Sequence, residues 1–160
     1  MRRSHILATL AISAFAVASC ASAPSAPTSA RSTGSWTFSY DSATGLSTAE
    51  QRDADGSVSA RVTCQTPSGD MMVTDYRLGG GRGETRARFT IGQETIDVPA
   101  TSDGRTLTVR LPRRPPNLGS YAHLSRDPVS MSAGGATHAY AADALEKFAL
   151  VANSCWPTGS

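Results

Sequence analysis

Two turn signals inside a run of alternating residues constrain the fold more than any other feature of this sequence. Over residues 86–111, large apolar side chains alternate with polar ones, which is the two-residue period of a half-buried strand. Gly92-Gln93 suits a two-residue type II′ turn, and Asp103-Gly104 suits a type I′ turn. Since each turn sets the register of the strands that it joins, the stretch predicts a three-stranded antiparallel meander.

The predicted register places the apolar side chains of the meander on one face. The first turn pairs Phe89 with Ile96, and the second pairs Val98 with Val109. A one-residue slip at either turn would destroy this agreement, because neighbouring side chains on a strand point to opposite faces. On the other face the same register predicts a row of three alternating charges, namely Arg88, Asp97 and Arg110.

Other segments alternate in the same way and predict further strands: 36–40, 58–64, 71–78, 121–124, 129–133 and 136–140. In the third strand of the chain, Met72, Thr74, Tyr76 and Leu78 share one face and Val73 points to the other. Gly134-Gly135 predicts the turn between the last two strands. Residues 41–56 are polar and predict an irregular segment with a helical turn near residues 47–50.

The period changes near the C-terminus and predicts one amphipathic helix. Its apolar residues follow the spacing i, i+3, i+4, i+7, and they are Leu145, Phe148, Ala149 and Ala152. Asp143 and Glu146 have the spacing of a capping box. The sequence therefore predicts a mainly β fold: an antiparallel β-sandwich or small barrel of seven or eight strands with one C-terminal helix.

The beginning of the chain has the parts of a secretory leader. A charged start, an apolar core over residues 6–17 and the small pair Ala18-Ser19 precede Cys20. The core is shorter than the ~20 residues that cross a bilayer. The end of the leader resembles the lipobox of bacterial lipoproteins, which implies cleavage before Cys20 and lipid attached to it. The alternative is a plain secretory signal cleaved near residues 21–23.

The leader divides the chain into three parts. Residues 1–19 are the predicted signal peptide, 20–34 a lipidated flexible tether rich in Ser, Ala and Pro, and 35–160 a single β-rich domain. Ala21 directly after Cys20 resembles the sorting pattern of outer-membrane lipoproteins. The predicted location is the bacterial cell envelope, lipid-anchored at the outer membrane and facing the periplasm.

The remaining two cysteines, Cys64 and Cys155, predict a disulfide if the domain is exported, because an even pair in an oxidising compartment is normally bonded. The alternative is two buried free thiols. A cysteine after a strand, the meander and a helix before Cys155 resemble small envelope proteins of the invasion-associated-locus-B type. That resemblance implies a β-sandwich with disulfides and gives no functional residue.

Two histidines form a candidate site. His123 and His138 could meet with Asp127 to bind a metal or form an acid–base pair, but two histidines are few for a metal site. The sequence contains no H-E-x-x-H, G-x-S-x-G or S-x-x-K motif. We therefore predict no catalytic, cofactor or metal residues and no cofactor, with both histidines on exposed strand faces.

Arginine carries the strongest binding signal. Three arginines lie in or beside the glycine-rich segment 79–83 and two follow the meander, and they are Arg77, Arg82, Arg86, Arg113 and Arg114. Arginine guanidinium groups match carboxylate and phosphate, so these residues are candidates for contact with an anion or a partner. Without the leader the chain is formally neutral, and this balance argues against nucleic acid as a partner.

These observations favour a non-catalytic envelope lipoprotein that acts as an interaction or assembly module. Its expected partners are the membrane, through the lipid on Cys20, and another envelope protein or anionic envelope component. The alternatives are a binding module for an anionic or lipid-like ligand, an inhibitor of a periplasmic protease and, less favoured, a small hydrolase. A filled core with a grooved surface would favour the interaction module, and a deep pocket with the histidines would favour the hydrolase.

Overall fold

Ten strands form one curled sheet in the computed structural model, which describes residues 30–31, 34–65, 69–111 and 127–156. The elements are β1 (Ala30–Arg31), β2 (Ser35–Asp41), β3 (Leu46–Arg52), β4 (Val58–Gln65), β5 (Met71–Asp75), β6 (Gly83–Ile91), β7 (Glu94–Ser102), β8 (Leu107–Leu111), β9 (Val129–Ala133), β10 (Ala136–Ala139) and the helix α1 (Ala144–Cys155). The predicted mainly β fold with one C-terminal helix is confirmed.

The sheet runs in the order β1-β10-β9-β6-β7-β8-β5-β4-β3-β2, and its neighbours are antiparallel except β1 and β10. The strands therefore curl into a half-barrel and do not divide into two facing sheets. β1 ends at Arg31 on one edge, and β2 begins at Ser35 on the other edge. Four extended residue steps span at most about 14 Å, so the end of β1 and the start of β2 lie within that distance of each other.

The helix α1 fills the concave side of the half-barrel. It packs against β2, β3, β4 and β5, and its Phe148 is fully buried. The Phe148 ring stacks on Phe89 with centroids 5.5 Å apart and meets Trp36 edge-on at 5.4 Å. Aromatic pairs of this kind add about 0.5–1.5 kcal/mol beyond the area that they bury. The predicted apolar stripe of the helix is buried throughout, which confirms it.

The second half of the predicted meander register is wrong. The first turn pairs Phe89 with Ile96 as predicted, but the second pairs Ser102 with Leu107 through a four-residue connection. The reason is the Asp103 carboxylate, which accepts hydrogen bonds from the amides of residues 105 and 106 at 2.8 and 2.7 Å. A turn widened by two residues preserves which face is buried and shifts every pairing beyond it.

This shift also breaks the predicted row of charges. Arg88 and Asp97 do pair, with Nε and Oδ1 3.3 Å apart. Arg110 instead pairs with Asp70, with Nη1 and Oδ2 3.1 Å apart. Continued by one residue, the observed register between β7 and β8 places Arg110 beside Pro99 and away from Asp97.

The segment predicted to be irregular contains the strand β3. Its inward side chains are Ser47, Ala49 and Gln51, which are small or polar and yet completely buried. Hydrogen bonds satisfy the two polar side chains. Ser47 Oγ bonds to Ser154 Oγ. The Gln51 side-chain amide donates to Ser59 Oγ at 3.0 Å, and its side-chain carbonyl oxygen accepts from the backbone amide of Ala141 at 2.9 Å. Apolar residues do not alternate along this segment, because its buried face is small or polar.

Two local predictions near the interior are also corrected. In β5 the buried face is Met71, Val73 and Asp75, and the strand ends at Asp75. Asp143 stands at the start of α1 but makes no capping hydrogen bond, because its Oδ2 accepts from the backbone amide of Trp36 at 3.2 Å. This bond fixes the start of the helix to β2.

The turn between β9 and β10 is a two-residue turn, as predicted. Gly134 and Gly135 have φ angles of 58° and 83°, a left-handed pair that glycine adopts without steric cost.

The structure joins Cys64 on β4 to Cys155 at the end of α1 in a disulfide, as predicted. Their Cα atoms are 5.7 Å apart, within the range that disulfides span, and both residues are buried. The bond holds the end of the helix against the sheet. Within the described ranges, no helix is long and apolar enough to cross a membrane.

Candidate functional site

A buried polar cluster consisting of Asp75, His138 and Tyr140 lies inside the half-barrel. Asp75 Oδ1 accepts hydrogen bonds from the backbone amides of Arg77 at 2.8 Å and Leu78 at 3.0 Å. Asp75 Oδ2 lies 2.8 Å from His138 Nδ1 and accepts from the Tyr140 hydroxyl at 3.0 Å. Four partners use the hydrogen-bonding capacity of the carboxylate, which is what a completely buried carboxylate requires.

The curl of the sheet brings this cluster together. Asp75 ends β5 and His138 lies on β10, and four strands separate β5 from β10 in the sheet. The two side chains meet across the interior because both point to the concave side. The cluster therefore links the two halves of the half-barrel, in addition to the hydrogen bonds between neighbouring strands.

Burial is the main reason why the pKa of Tyr140 is raised well above its usual value, and the neighbouring Asp75 carboxylate raises it further. Tyr140 consequently stays protonated at neutral pH and remains a hydrogen-bond donor. Its ring also contacts His138, with centroids 4.9 Å apart, and Trp36, with centroids 5.7 Å apart.

The prediction that His138 lies on an exposed strand face is wrong. His138 is 3% exposed, and its Nδ1 faces Asp75. An aspartate that orients a histidine in this way is one half of an acid–base dyad. However, Nε2 is buried and has no hydrogen-bond partner among the described residues, and His138 lines neither of the two cavities described below. The arrangement can fix the tautomer of the ring but does not present Nε2 to a ligand in a cavity.

The other members of the proposed histidine site do not join the cluster. His123 lies outside the described residues. Asp127 lies beside Gly92, at the turn between β6 and β7. In the part of the chain that the structure describes, no three His, Cys, Asp or Glu side chains are arranged to hold a metal ion.

A second candidate site lies on the convex side of the sheet, away from the cluster. An outer groove of about 700 Å³ crosses the neighbouring strands β5, β8, β7 and β6. Its lining includes Met72, Glu84, Arg86, Thr101, Thr108 and Arg110. The volume lies within the range of about 300–1,000 Å³ that is usual for small-ligand sites.

Cross-strand pairing arranges the groove in two rows. Arg86 pairs with Pro99, and Arg110 pairs with Met72, so two arginines stand in one row with a proline between them. The neighbouring row contains Glu84, Thr101, Thr108 and Thr74. The outer groove thus combines two cations, a carboxylate at one end and a line of hydroxyl groups.

The two arginines differ in their electrostatic surroundings. Arg110 forms an ion pair with Asp70, and both side chains of that pair are exposed. Arg86 is exposed and has no carboxylate partner within the described ranges. Arg86 is therefore the cation of the groove that is most available to an anionic ligand.

The five arginines predicted as one contact edge do not form one cluster. Arg77 pairs with Asp53 and lines a smaller cavity of about 140 Å³ at the glycine-rich segment. Arg86 lines the outer groove, and Arg82 lines neither cavity. Arg113 and Arg114 lie outside the described residues. The second arginine of the groove, Arg110, was predicted only as part of the row of charges.

Sequence reasoning also missed Asp75. A usable signal was present, because Asp75 continues the spacing of Met71 and Val73, and a carboxylate at an inward position of a strand requires a buried partner. His138 lies on the later strand β10, and Tyr140 follows two positions on, directly after the end of that strand. The partner could have been sought there.

Comparison with known proteins gives no assignment for this arrangement. No protein-family model, no curated protein and no solved structure matches the chain. The fold and the two candidate sites therefore rest on the residues themselves.

Proposed function

We propose that this protein is a non-catalytic, lipid-anchored interaction module of the bacterial envelope that contacts an anionic partner through the outer groove. The observation that carries the proposal is Arg86, an exposed arginine without a carboxylate partner in the described residues, in a groove that it shares with Arg110. Arginines of this kind are enriched at contact surfaces because the guanidinium group binds carboxylate and phosphate through two hydrogen bonds.

Because side chains fill the interior of the domain, binding at its outer surface is favoured over binding inside it. Phe148 and the aromatic side chains around it occupy the concave side, and the Asp75 carboxylate is paired with His138 Nδ1 within it. A carrier of apolar ligands would use an internal cavity, and a hydrolase would present its histidine to a cleft. His138 does not line either of the two described cavities.

The anchor is the second part of the proposal. A lipid on Cys20 followed by the tether would hold the domain close to the membrane and raise the effective concentration of any partner in the same membrane. A higher effective concentration strengthens a weak contact with a membrane partner, but it does not assist a reaction on diffusible substrates.

Lipid attachment can be tested directly in the bacterium that produces the protein. We expect radiolabelled palmitate to be incorporated into the native protein and not into a Cys20→Ser variant, which should remain an unprocessed precursor or become soluble. Native protein that carries no palmitate label would contradict the lipid anchor. The same result would not test contact through the outer groove.

Contact through the outer groove can be tested in cells. A photoreactive amino acid at Thr108, which lines the groove, is expected to form a covalent adduct with the partner. Arg86→Glu should abolish the adduct, because it reverses the charge that attracts the anion. Arg88→Glu is the matched control: it makes the same change on the same strand and face, outside the groove, and should leave the adduct in place.

Two results would overturn contact through the groove. One is an adduct that persists unchanged in Arg86→Glu. The other is a measurable turnover by the native protein that His138→Gln abolishes and Arg86→Glu leaves intact, which would make the buried polar cluster the working site of a hydrolase.

A further inference from the structure

We propose that the ligand of the outer groove is a short acidic peptide that carries two carboxylates about 9–10 Å apart and lies across strands β6, β7 and β8. This inference rests on the proposed function, because it takes the outer groove as the contact surface, and it adds the chemical class of the ligand. It uses the spacing of two arginines, the apolar surface between them and a carboxylate at one end of the groove.

The spacing of the cations sets the spacing of the anions. Arg86 on β6 and Arg110 on β8 are separated by β7, so their backbones are two strand spacings apart, or about 10 Å. A peptide in the polyproline II conformation has three residues per turn and rises about 3.1 Å per residue. Side chains three positions apart therefore point to the same side about 9 Å from each other, which matches the distance between the backbones of the two arginines.

The surface between the arginines suits the small side chains of such a peptide. Pro99 is exposed between Arg86 and Arg110, and the partly buried Met72 continues the row. Proline has no amide hydrogen and offers an apolar ring to a ligand. Threonine hydroxyls in the neighbouring row, at Thr101 and Thr108, can donate to or accept from the peptide backbone.

Glu84 favours a peptide over a densely anionic surface as the ligand of the groove. It lines the same groove, is exposed and has no cationic partner in the described part of the chain. A bilayer of anionic phospholipids would place negative charge against this carboxylate and be repelled. A peptide with a free amino group can place that group at Glu84 while its carboxylates bind Arg86 and Arg110.

Asp70 competes with the ligand for one of the two arginines. The pair between Arg110 and Asp70 must loosen when a ligand carboxylate binds Arg110. Since the pair is exposed, its contribution is at most about 1 kcal/mol, which corresponds to about fivefold in affinity. Asp70→Asn should therefore strengthen binding by up to about fivefold, an effect that general loss of structure cannot mimic.

The test is calorimetric titration of the protein with the peptide Glu-Ala-Ala-Glu, which has a free amino terminus and an amidated carboxyl terminus. We expect saturable binding that Arg86→Ala weakens by about tenfold or more, since a hydrogen bond to a charged group contributes about 1.5–3 kcal/mol. Arg88→Ala, the control on the same strand, should change the affinity by less than about twofold. The peptide Gln-Ala-Ala-Gln with the same termini, which lacks the two carboxylates, should not bind.

Each other outcome argues against the inference. Equal weakening by Arg86→Ala and Arg88→Ala would indicate general charge attraction. Binding of inorganic phosphate, or of vesicles containing anionic phospholipid, with the same dependence on Arg86 and without peptide binding would assign the groove to phosphate. No binding of Glu-Ala-Ala-Glu, together with a persistent Arg86-dependent adduct from Thr108 in cells, would overturn the peptide and retain the contact surface. Loss of both would overturn the proposed function as well.

Discussion

Asp75→Ala is expected to lower the free energy of unfolding by about 3–5 kcal/mol, a large part of the ~5–15 kcal/mol that stabilises a typical domain. The substitution removes the acceptor of four donors. Three of them are buried, namely the Leu78 amide, the Tyr140 hydroxyl and His138 Nδ1, and the fourth is the partly buried amide of Arg77. Each donor left without a partner costs about 1–3 kcal/mol, and relaxation around the cavity recovers part of the sum. Denaturation by urea, followed by tryptophan fluorescence, measures this change.

Asp70→Ala is the control for this measurement. Asp70 also pairs with a basic side chain, but that pair is exposed, so its removal should cost less than about 1 kcal/mol. An effect of Asp75→Ala no larger than that of Asp70→Ala would show that the buried polar cluster does not hold the half-barrel together.

Loss of the disulfide is the second large effect that we expect. Cys64 and Cys155 are 91 residues apart in sequence, and a bond across so long a loop stabilises the fold by about 2–4 kcal/mol. Cys64→Ala, Cys155→Ala and the double variant should each lose a similar amount, because each removes the same bond. Urea denaturation of the oxidised proteins measures the three values.

Peptide mapping without reductant should find Cys64 linked to Cys155 in the native protein. Two free thiols in that protein would contradict the bond. Losses from the two single substitutions that add up in the double variant would show that each cysteine contributes through its own packing instead.

Much of the fold could be predicted because large apolar residues alternate along most of its strands. The strand β4 and the first hairpin of the meander, with Phe89 opposite Ile96, follow from that pattern, and the helical spacing around Phe148 gives α1. β3 could not be predicted in this way. Its buried side chains are Ser47, Ala49 and Gln51, whose burial depends on hydrogen bonds to distant elements and not on hydrophobicity.

The candidate sites were harder to predict because both depend on long-range geometry. Asp75 and His138 are 63 positions apart and meet only because the sheet curls. Arg86 was predicted as a contact residue, but its neighbour Arg110 was assigned to the wrong row. The cause is local: the Asp103 carboxylate binds two amides of the following turn and lengthens it, which moves Arg110 two residues along the sheet.

The most direct test of the account compares the two faces of the domain in living cells. A photoreactive amino acid is placed either at Thr108, in the outer groove, or at Leu150, which is 38% exposed on α1. Contact through the outer groove predicts one partner adduct from Thr108 that disappears in Arg86→Glu, and no adduct from Leu150. An adduct from Leu150, with none from Thr108, would contradict the account and place the contact surface on the helix.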